Sequence, residues 1–374
     1  MKRSHTSPFT HMRRLFNAFL LAVITLSVTA QDKSISCDGP YIFYKNNLVY
    51  SKSIIDGKVC IDSFPAKEKA KHILQVQVAA HPEWAFPVQL QETITPRPAV
   101  HAATDKMFFL SDIEGEFEAF RSLLIGNKIM DEKYNWIFGN NRLVIAGDLF
   151  DRGNEVAQYI WLLYKLEYDA RSHGGDVHVV LGNHDIMNLK GDFRYVQPAY
   201  MNNAALLNES YAALYGNNTE LGRWLRSKNI VEKIGDLLVL HGGVSPEAIS
   251  KQFSLERINT SCRPFYDTPI KQIPDSVKAF LGNTGLFWYR DYFSKDVDCT
   301  RTIDSTCSFY GVKQIVVGHT ITKENIALYR QATIVGLDVN QHKGQHAAAL
   351  WERKQWQVTD NKGNHAPMPA IAAF

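Results

Sequence analysis

Beyond residue 105 the chain alternates short, unbroken apolar runs with longer amphipathic ones. "KMFFL" (106–110) has the pattern of a buried strand, "EFEAFRSLLIG" (116–126) that of an amphipathic helix, and "RLVIA" (142–146) that of a second strand. The next helix, "NEVAQYIWLLYKLEY" (154–168), places Val156, Ile160 and Leu163 on one face and leads into the strand "DVHVVL" (176–181). Strands alternating with helices predict an α/β fold with parallel strands and crossover helices. A polar, helical stretch at 187–229 interrupts the sheet and is expected to cap the functional site. Further strands are predicted at "LLVL", "QIVVG", "ATIVGL" and "HAAALWE". Residues 31–100 are different: β-rich runs such as "YIFY", "LVYS" and "ILQVQV" end in the Pro-containing "ETITPRPAV", which predicts an N-terminal extension or small accessory domain. A main domain over 101–360 and a tail over 361–374 complete the expected organisation.

The first thirty residues have another character. A basic stretch (Lys2, Arg3, Arg13, Arg14) precedes the apolar run "LFNAFLLAVITL" (15–26), and the small residues Val28 and Ala30 follow. This is the pattern of a signal peptide cut after Ala30, which predicts a periplasmic or secreted protein. About 12 apolar residues are too few for a membrane span of roughly 20, so the rival reading, a single anchor, is the weaker one. Met12 is an alternative start. Residues 1–30 hold four Lys or Arg and no acid, so the formal net charge of +3 becomes −1 once they are removed. No basic stripe remains for nucleic acid, and the hydrophobic fraction of 45% is ample for a buried core.

Cysteines stand at 37, 60, 262, 299 and 307, without C-x-x-C spacing. In an exported chain they are disulfide candidates. Cys37 and Cys60 flank a hairpin-like segment, Cys299 and Cys307 bracket "TRTIDST" as a short loop, and Cys262 is left over or competes for a partner. Five ordinary thiols are the alternative.

Five short segments carry the chemistry, in this order: "SDIEGE" (111–116), "GDLFDRG" (147–153), "GNHD" (182–185), "HGG" (241–243) and "GHT" (318–320). Each follows an aliphatic run, at the carboxyl end of a strand, where open α/β sheets expose functional residues. Paired divalent cations need a bridging carboxylate, and Asp148 is the candidate. Asp112 joins the first ion, while Asn183, His241 and His319 offer an amide oxygen and two imidazoles to the second. His184 is the candidate general acid, with the adjacent Asp185 as its orienting carboxylate. Arg152 has the chemistry to grip phosphate oxygens, and Asp151 is better suited to holding its loop or a nearby His than to binding metal. No cysteine lies in a phosphate loop, so a covalent thiol mechanism is not expected.

These motifs together resemble the calcineurin-like metallophosphoesterases over residues 105–345, specifically the phosphoprotein phosphatase branch, and within it the bacterial Shewanella-like protein phosphatases. The resemblance implies a sandwich of two mixed β-sheets flanked by helices (αββα), hydrolysis of phosphomonoesters by a metal-bridging hydroxide, and a phosphate-binding Arg290 within "WYR" at 288–290. It also exposes a departure. Where the family has His, this chain has Glu114, so Asp112, Glu114 and Asp148 would surround the first ion with oxygen. That favours Mn²⁺, with Fe²⁺ or Zn²⁺ as alternatives, and raises the pKa of bridging water. The expected substrate is a phosphoprotein, phosphorylated on Tyr or on Ser/Thr. Two alternatives are a hydrolase of small phosphoesters or dinucleoside polyphosphates, and a metal-binding pseudophosphatase.

Overall fold

The computed structural model describes residues 35–323 and 325–371; the expected signal peptide lies outside them. Among the described residues, no helix is long and apolar enough to cross a membrane. The N-terminal segment is β-rich, as its runs predict. Strands β1 (Asp38–Lys45), β2 (Leu48–Ile55) and β3 (Lys58–Pro65) form an antiparallel meander, and β4 (Ile73–Val76) pairs with β5 (Phe86–Gln89).

The centre of the molecule is built from β6 (Val100–His101), β7 (Lys106–Leu110), β8 (Arg142–Ala146), β9 (Asp176–Val180), β10 (Val231–Ile234) and β11 (Leu237–Leu240). It is completed by β12 (Gln314–Val317), β13 (Ala327–Tyr329), β14 (Ile334–Gly336), β15 (Ala347–Glu352), β16 (Gln355–Asp360) and β17 (His365–Pro367). They form two six-stranded sheets, in the orders β17-β16-β15-β7-β8-β9 and β13-β14-β12-β11-β10-β6. Both are mixed: β7, β8 and β9 run parallel, as do β11, β12 and β14, while β15 is antiparallel to β7 and β10 to β11. The strand-helix alternation predicts the parallel part; the antiparallel neighbours β15 on β7, β10 on β11 and β13 on β14 make the sheets mixed.

Strand side chains alternate between faces, and here both faces are buried, which explains the unbroken apolar runs. Met107, Phe109, Val144 and Ala146 pack against Val239, Val316 and Val335 of the other sheet. Phe108, Leu110, Leu143 and Ile145 belong instead to the larger cluster that contains helices α1 (Phe117–Gly126) and α2 (Val156–Ser172). Helix α2 was expected to bury one face; it is buried on nearly every side, Trp161, Leu162 and Tyr164 included. The second cover comes from the N-terminal strands. Trp161 Nε1 donates to the Pro40 carbonyl at 2.8 Å.

The stretch at 187–229 begins within α3 (Asn183–Lys190) and continues through α4 (Pro198–Leu206), α5 (Tyr211–Leu214) and α6 (Glu220–Ser227). Much of it is turned toward the N-terminal strands: Asn203 donates to the Ile35 carbonyl at 3.0 Å, and Lys52 pairs with Glu209 at 2.5 Å. Residues 365–367, within the expected tail, pair with β16 as an edge strand, where a proline does no harm to the ladder.

The cysteines are unpaired. Cys37 precedes β1 and Cys60 lies on β3, with β2 between them. Two strand spacings amount to roughly 10 Å, beyond disulfide reach. The supposed loop between Cys299 and Cys307 is a helix, Thr300–Tyr310, with Ile303 and Thr306 buried. Eight helical positions rise about 12 Å, so that pair is excluded as well.

Candidate metal centre

The motif residues leave the carboxyl ends of adjacent strands in both sheets. Asp112 follows β7, Asp148 follows β8, Asn183 opens α3 after β9, His241 follows β11 and His319 follows β12. The backbone there is unusual. Asp112 (φ 52°), Glu114 (49°), Asp148 (57°), Asp151 (77°), Arg152 (52°) and His319 (66°) all adopt the left-handed region, which residues with a Cβ seldom occupy and which concentrates at functional sites. Two glycines make room for carboxylates. A Cβ on Gly182 would collide with Asp148 Oδ1, and one on Gly318 with Asp112 Oδ2.

The donor atoms converge as a cation requires. His241 Nδ1 is 2.8 Å from the Ala146 carbonyl, which it can engage only by donating. Its Nε2 then faces Asn183 Oδ1 at 2.9 Å and Asp148 Oδ2 at 3.1 Å, two acceptors. Only positive charge at that point, a proton or a metal ion, reconciles the three. Burial alone would lower the pKa of His241, but Asp148 and Asp112 outweigh it and push the imidazole up to about 10. His319 is the converse. Burial, reinforced by His241 and Arg290, pushes it down to about 2, and its buried Nε2 has no hydrogen-bond partner. Its Nδ1 lies 3.4 Å from Arg290 Nη2, and a neutral imidazole is the form a metal ion binds.

Asp148, His241 and His319 place ligand atoms within 4.8 Å of one another, and so do Glu114, Asp148 and His184. Asp148 belongs to both groups, as a bridging ligand would. Asp112 is fixed beside them by the His319 N–H, donated to Oδ2 at 3.1 Å. Burial raises Asp112 to about 6. Burial, then repulsion from Asp148 and Asp112, raises Glu114 to about 10. Asp148 is also desolvated, yet His241 and His184 hold it well below the usual carboxylate range. The residues therefore fit a pair of divalent cations.

One assigned role is corrected. His184 Nδ1 meets Asp151 Oδ2 at 2.6 Å, not Asp185. Asp185 Oδ1 accepts the Leu149 N–H at 2.7 Å and the Phe150 N–H at 3.3 Å, and its Oδ2 accepts the Gly182 N–H at 2.7 Å. It ties two site loops together. Consecutive helical residues point about 100° apart, so sequence neighbours in the first turn of α3 do not face each other. Asn188, unremarked in the sequence, donates Nδ2 to Asp151 Oδ1 at 2.9 Å and fixes the orienting carboxylate. Burial lowers the pKa of His184, but Asp148 and Asp151 together raise it above its ordinary value.

Arg152 donates to Glu114 Oε2 at 2.6 Å. Arg290 Nη1 donates to the His319 carbonyl at 2.5 Å and to Thr320 Oγ1 at 3.2 Å, so it is fastened to the "GHT" loop. Two further residues escaped the sequence reading. Asp338 follows β14 and is buried, and desolvation with repulsion from Asp112 and Asp148 lifts its pKa well up. His342 Nδ1 lies 3.9 Å from Glu114 Oε2. The signal for Asp338 was present, since "ATIVGL" delivers it as the other runs deliver their ligands; no comparable pattern marks His342. Two aromatic rings flank the centre: Tyr195, half exposed, 5.0 Å from His184, and Trp288, edge-on to His319 at 5.7 Å.

A family model described as "Calcineurin-like phosphoesterase" matches residues 106–323. The chain is 25% identical over 286 residues to "Shewanella-like protein phosphatase 2" of Arabidopsis thaliana, a match covering 64% of this chain and 72% of that protein. It is 30% identical over 226 residues to "Shewanella-like protein phosphatase 1" of Plasmodium berghei, covering 58% and 61% respectively. Among solved structures, the cold-active protein-tyrosine phosphatase of a psychrophilic Shewanella species is 33% identical. It superimposes with a TM-score of 0.80, covering 89% of this chain and 99% of that one.

Proposed function

The chain belongs to the calcineurin-like phosphoesterase family, and from that premise we propose that this metal-dependent phosphatase acts on phosphoproteins outside the cytoplasm. The observation that carries the reading is the His184–Asp151 pair, whose imidazole Nε2 opens toward Glu114 and Asp148 at 3.8 and 3.9 Å. A protonated imidazole beside two ion-binding carboxylates is the arrangement that releases an alkoxide or phenoxide from phosphate.

In this proposal Asp112, Glu114 and Asp148 would hold one divalent ion, and Asp148, Asn183, His241 and His319 would hold the other. Bound there, the ions supply Lewis acidity and make water a nucleophile near neutral pH. The three carboxylates favour Mn²⁺ at the first position. Arg152 and Arg290 take the phosphate oxygens as planar donors. His184 gives its Nε2 proton to the leaving oxygen, while Asp151 holds Nδ1 and Asn188 holds Asp151. Tyr195 offers its ring beside His184, which suits an aryl leaving group, and the 33% identical Shewanella protein is a protein-tyrosine phosphatase. Phosphotyrosine is accordingly the preferred substrate. Residues 1–30, basic then apolar, support export.

The test is turnover of p-nitrophenyl phosphate, a phosphotyrosine peptide and a phosphoserine peptide after metal stripping and readdition of Mn²⁺, Zn²⁺, Fe²⁺ or Mg²⁺, with Asp148→Asn as control. Activity restored best by Mn²⁺, absent in the control and faster on phosphotyrosine is expected. Equal rates on both peptides would sink the phosphotyrosine preference; turnover surviving Asp148→Asn would sink the assigned centre.

A further inference from the structure

At the other end of β9, remote from the motif loops, lies a second group of ligand-type atoms that the phosphatase reading leaves unused. His101 ends β6, Asp176 and His178 lie on β9, and their ligand atoms fall within 4.8 Å of one another. His178 is only 4% exposed, and its Nε2 has no hydrogen-bond partner; the Nε2 of His101 is likewise buried and unpartnered. Buried polar atoms are rarely left so. Each ring has a further acceptor beside it. His178 Nδ1 sits 2.8 Å from Glu232 Oε2, and His101 interacts with the Pro98 carbonyl. His178 therefore keeps its proton on the Glu232 side and turns a bare lone pair inward, while the His101 Nε2 lies 3.7 Å from Glu232 Oε2, beyond hydrogen-bond reach of it and in its negative field.

We propose that His101, His178 and Asp176 form a third cation site, separate from the catalytic pair, that holds a structural zinc-type ion. The His178 Nε2 to Asp176 Oδ2 separation is 3.9 Å, against about 3.3 Å between ligands of a tetrahedral ion with bonds near 2.0 Å. A closure of less than about 1 Å brings the two into bonding position. Glu232 behind His178 is the carboxylate–imidazole partner that metal-binding histidines commonly have. The neighbouring charges point to the ion's identity. Arg97 forks onto both oxygens of Asp176, and Arg171 Nε lies 3.8 Å from Oδ1. That carboxylate is already largely neutralised, so the ion is held mainly by two imidazole nitrogens, which suits Zn²⁺ and not Ca²⁺ or Mg²⁺.

The position gives the ion a purpose. β6 is an edge strand of two residues, joined to its sheet only through the pairs Lys233 with Val100 and Ile234 with His101. β9 is the edge of the other sheet. An ion bound by His101 and His178 clasps the two edges together and fixes a strand too short to hold by its ladder alone.

The experiment uses the full chain, stripped with chelator, saturated with Zn²⁺ and freed of excess metal, with bound metal counted by elemental analysis and native mass spectrometry. The wild type is expected to retain about three ions, and His178→Gln and His101→Gln one fewer each; thermal protection by Zn²⁺ should shrink in both while p-nitrophenyl phosphate turnover persists. Asp148→Asn should still retain the edge ion. Should His178→Gln fail to fold, His101→Gln at the sheet edge decides alone. Saturation of the wild type at two ions, or a third ion retained in His101→Gln, overturns the proposal.

Discussion

Buried carboxylates gather at both ends of β9, in opposite electrostatic states. At the carboxyl end, Asp112, Glu114 and Asp338 are all raised, by burial first and by mutual repulsion after it. Toward the amino end, Glu167, Asp176 and Glu232 are as deeply desolvated, yet all three are lowered. There each acid has its answer: Lys228 for Glu167, with both oxygens at 2.8 Å, Arg97 for Asp176 and the His178 imidazole for Glu232. The catalytic end has Arg152, half exposed, against a larger set of acids. At the amino end the chain's own cations neutralise the acids; at the carboxyl end that balance comes from ions in solution. A cluster of acids thus announces function when its own chain fails to neutralise it.

The sharpest way to break the comparison is to disable the chemistry of the carboxyl end while leaving its acids in place. His184→Ala should lower kcat by about a hundredfold to ten-thousandfold on an alkyl phosphate, and less on p-nitrophenyl phosphate, whose leaving group needs little help. Metal content should be retained, and loss of the metals with the activity would show His184 to be a ligand instead. At the amino end the effect should be on stability. Lys228→Met leaves the buried Glu167 with only Arg171 at 2.5 Å and the Trp224 Nε1–H at 2.6 Å and should cost about 3 kcal/mol in denaturant unfolding, with activity per folded molecule unchanged; a cost near zero would mean those two partners suffice without Lys228.

A subtler intervention concerns the pair Asp151 and His184. Asp151→Asn should reduce kcat by about ten- to a hundredfold. The general acid works protonated and its pKa is raised by Asp148 and Asp151, so turnover fails as pH climbs through that value, and the variant should fail at lower pH. An unmoved alkaline limb would separate Asp151 from the proton. The smallest expected effect is a contrast of slopes. In metal-stripped protein, Glu114 keeps its proton up to about 10 while the unfolded chain releases it near 4.3, so this group's contribution to stability falls as pH rises between those values. Glu167 acts in the opposite sense, its contribution present above about 4.3 and lost as pH falls through its lowered folded value. Melting temperatures of stripped protein from pH 5 to 9 should decline, and the decline should flatten when Mn²⁺ is restored; a flat stripped profile would contradict the raised Glu114.

The motifs were legible because each ligand follows an aliphatic strand and a glycine stands close by. The strand-helix alternation likewise announced β7, α1, β8, α2 and β9. What escaped was set by three dimensions. Asp185 stands beside His184 in the chain but turns away in the helix, and the orienting carboxylate comes from a loop 33 residues earlier. Asp338 had the right strand before it but no repeated motif to flag it. "TRTIDST" reads as a loop between two cysteines, yet Ile303 and Thr306 are buried one helical turn apart. The all-round burial of α2 required knowing that the N-terminal strands fold back over it.

The seats beneath Asp148 and Asp112 bear on any attempt to rebuild such a centre elsewhere. Each carboxylate rests against a glycine from a different strand end, Gly182 for one and Gly318 for the other. Grafting only the ligands onto a foreign scaffold would therefore fail by crowding before any ion arrived. The transferable unit is the carboxylate in its left-handed turn together with the bare backbone opposite it, two pieces of chain that a designer has to move as one.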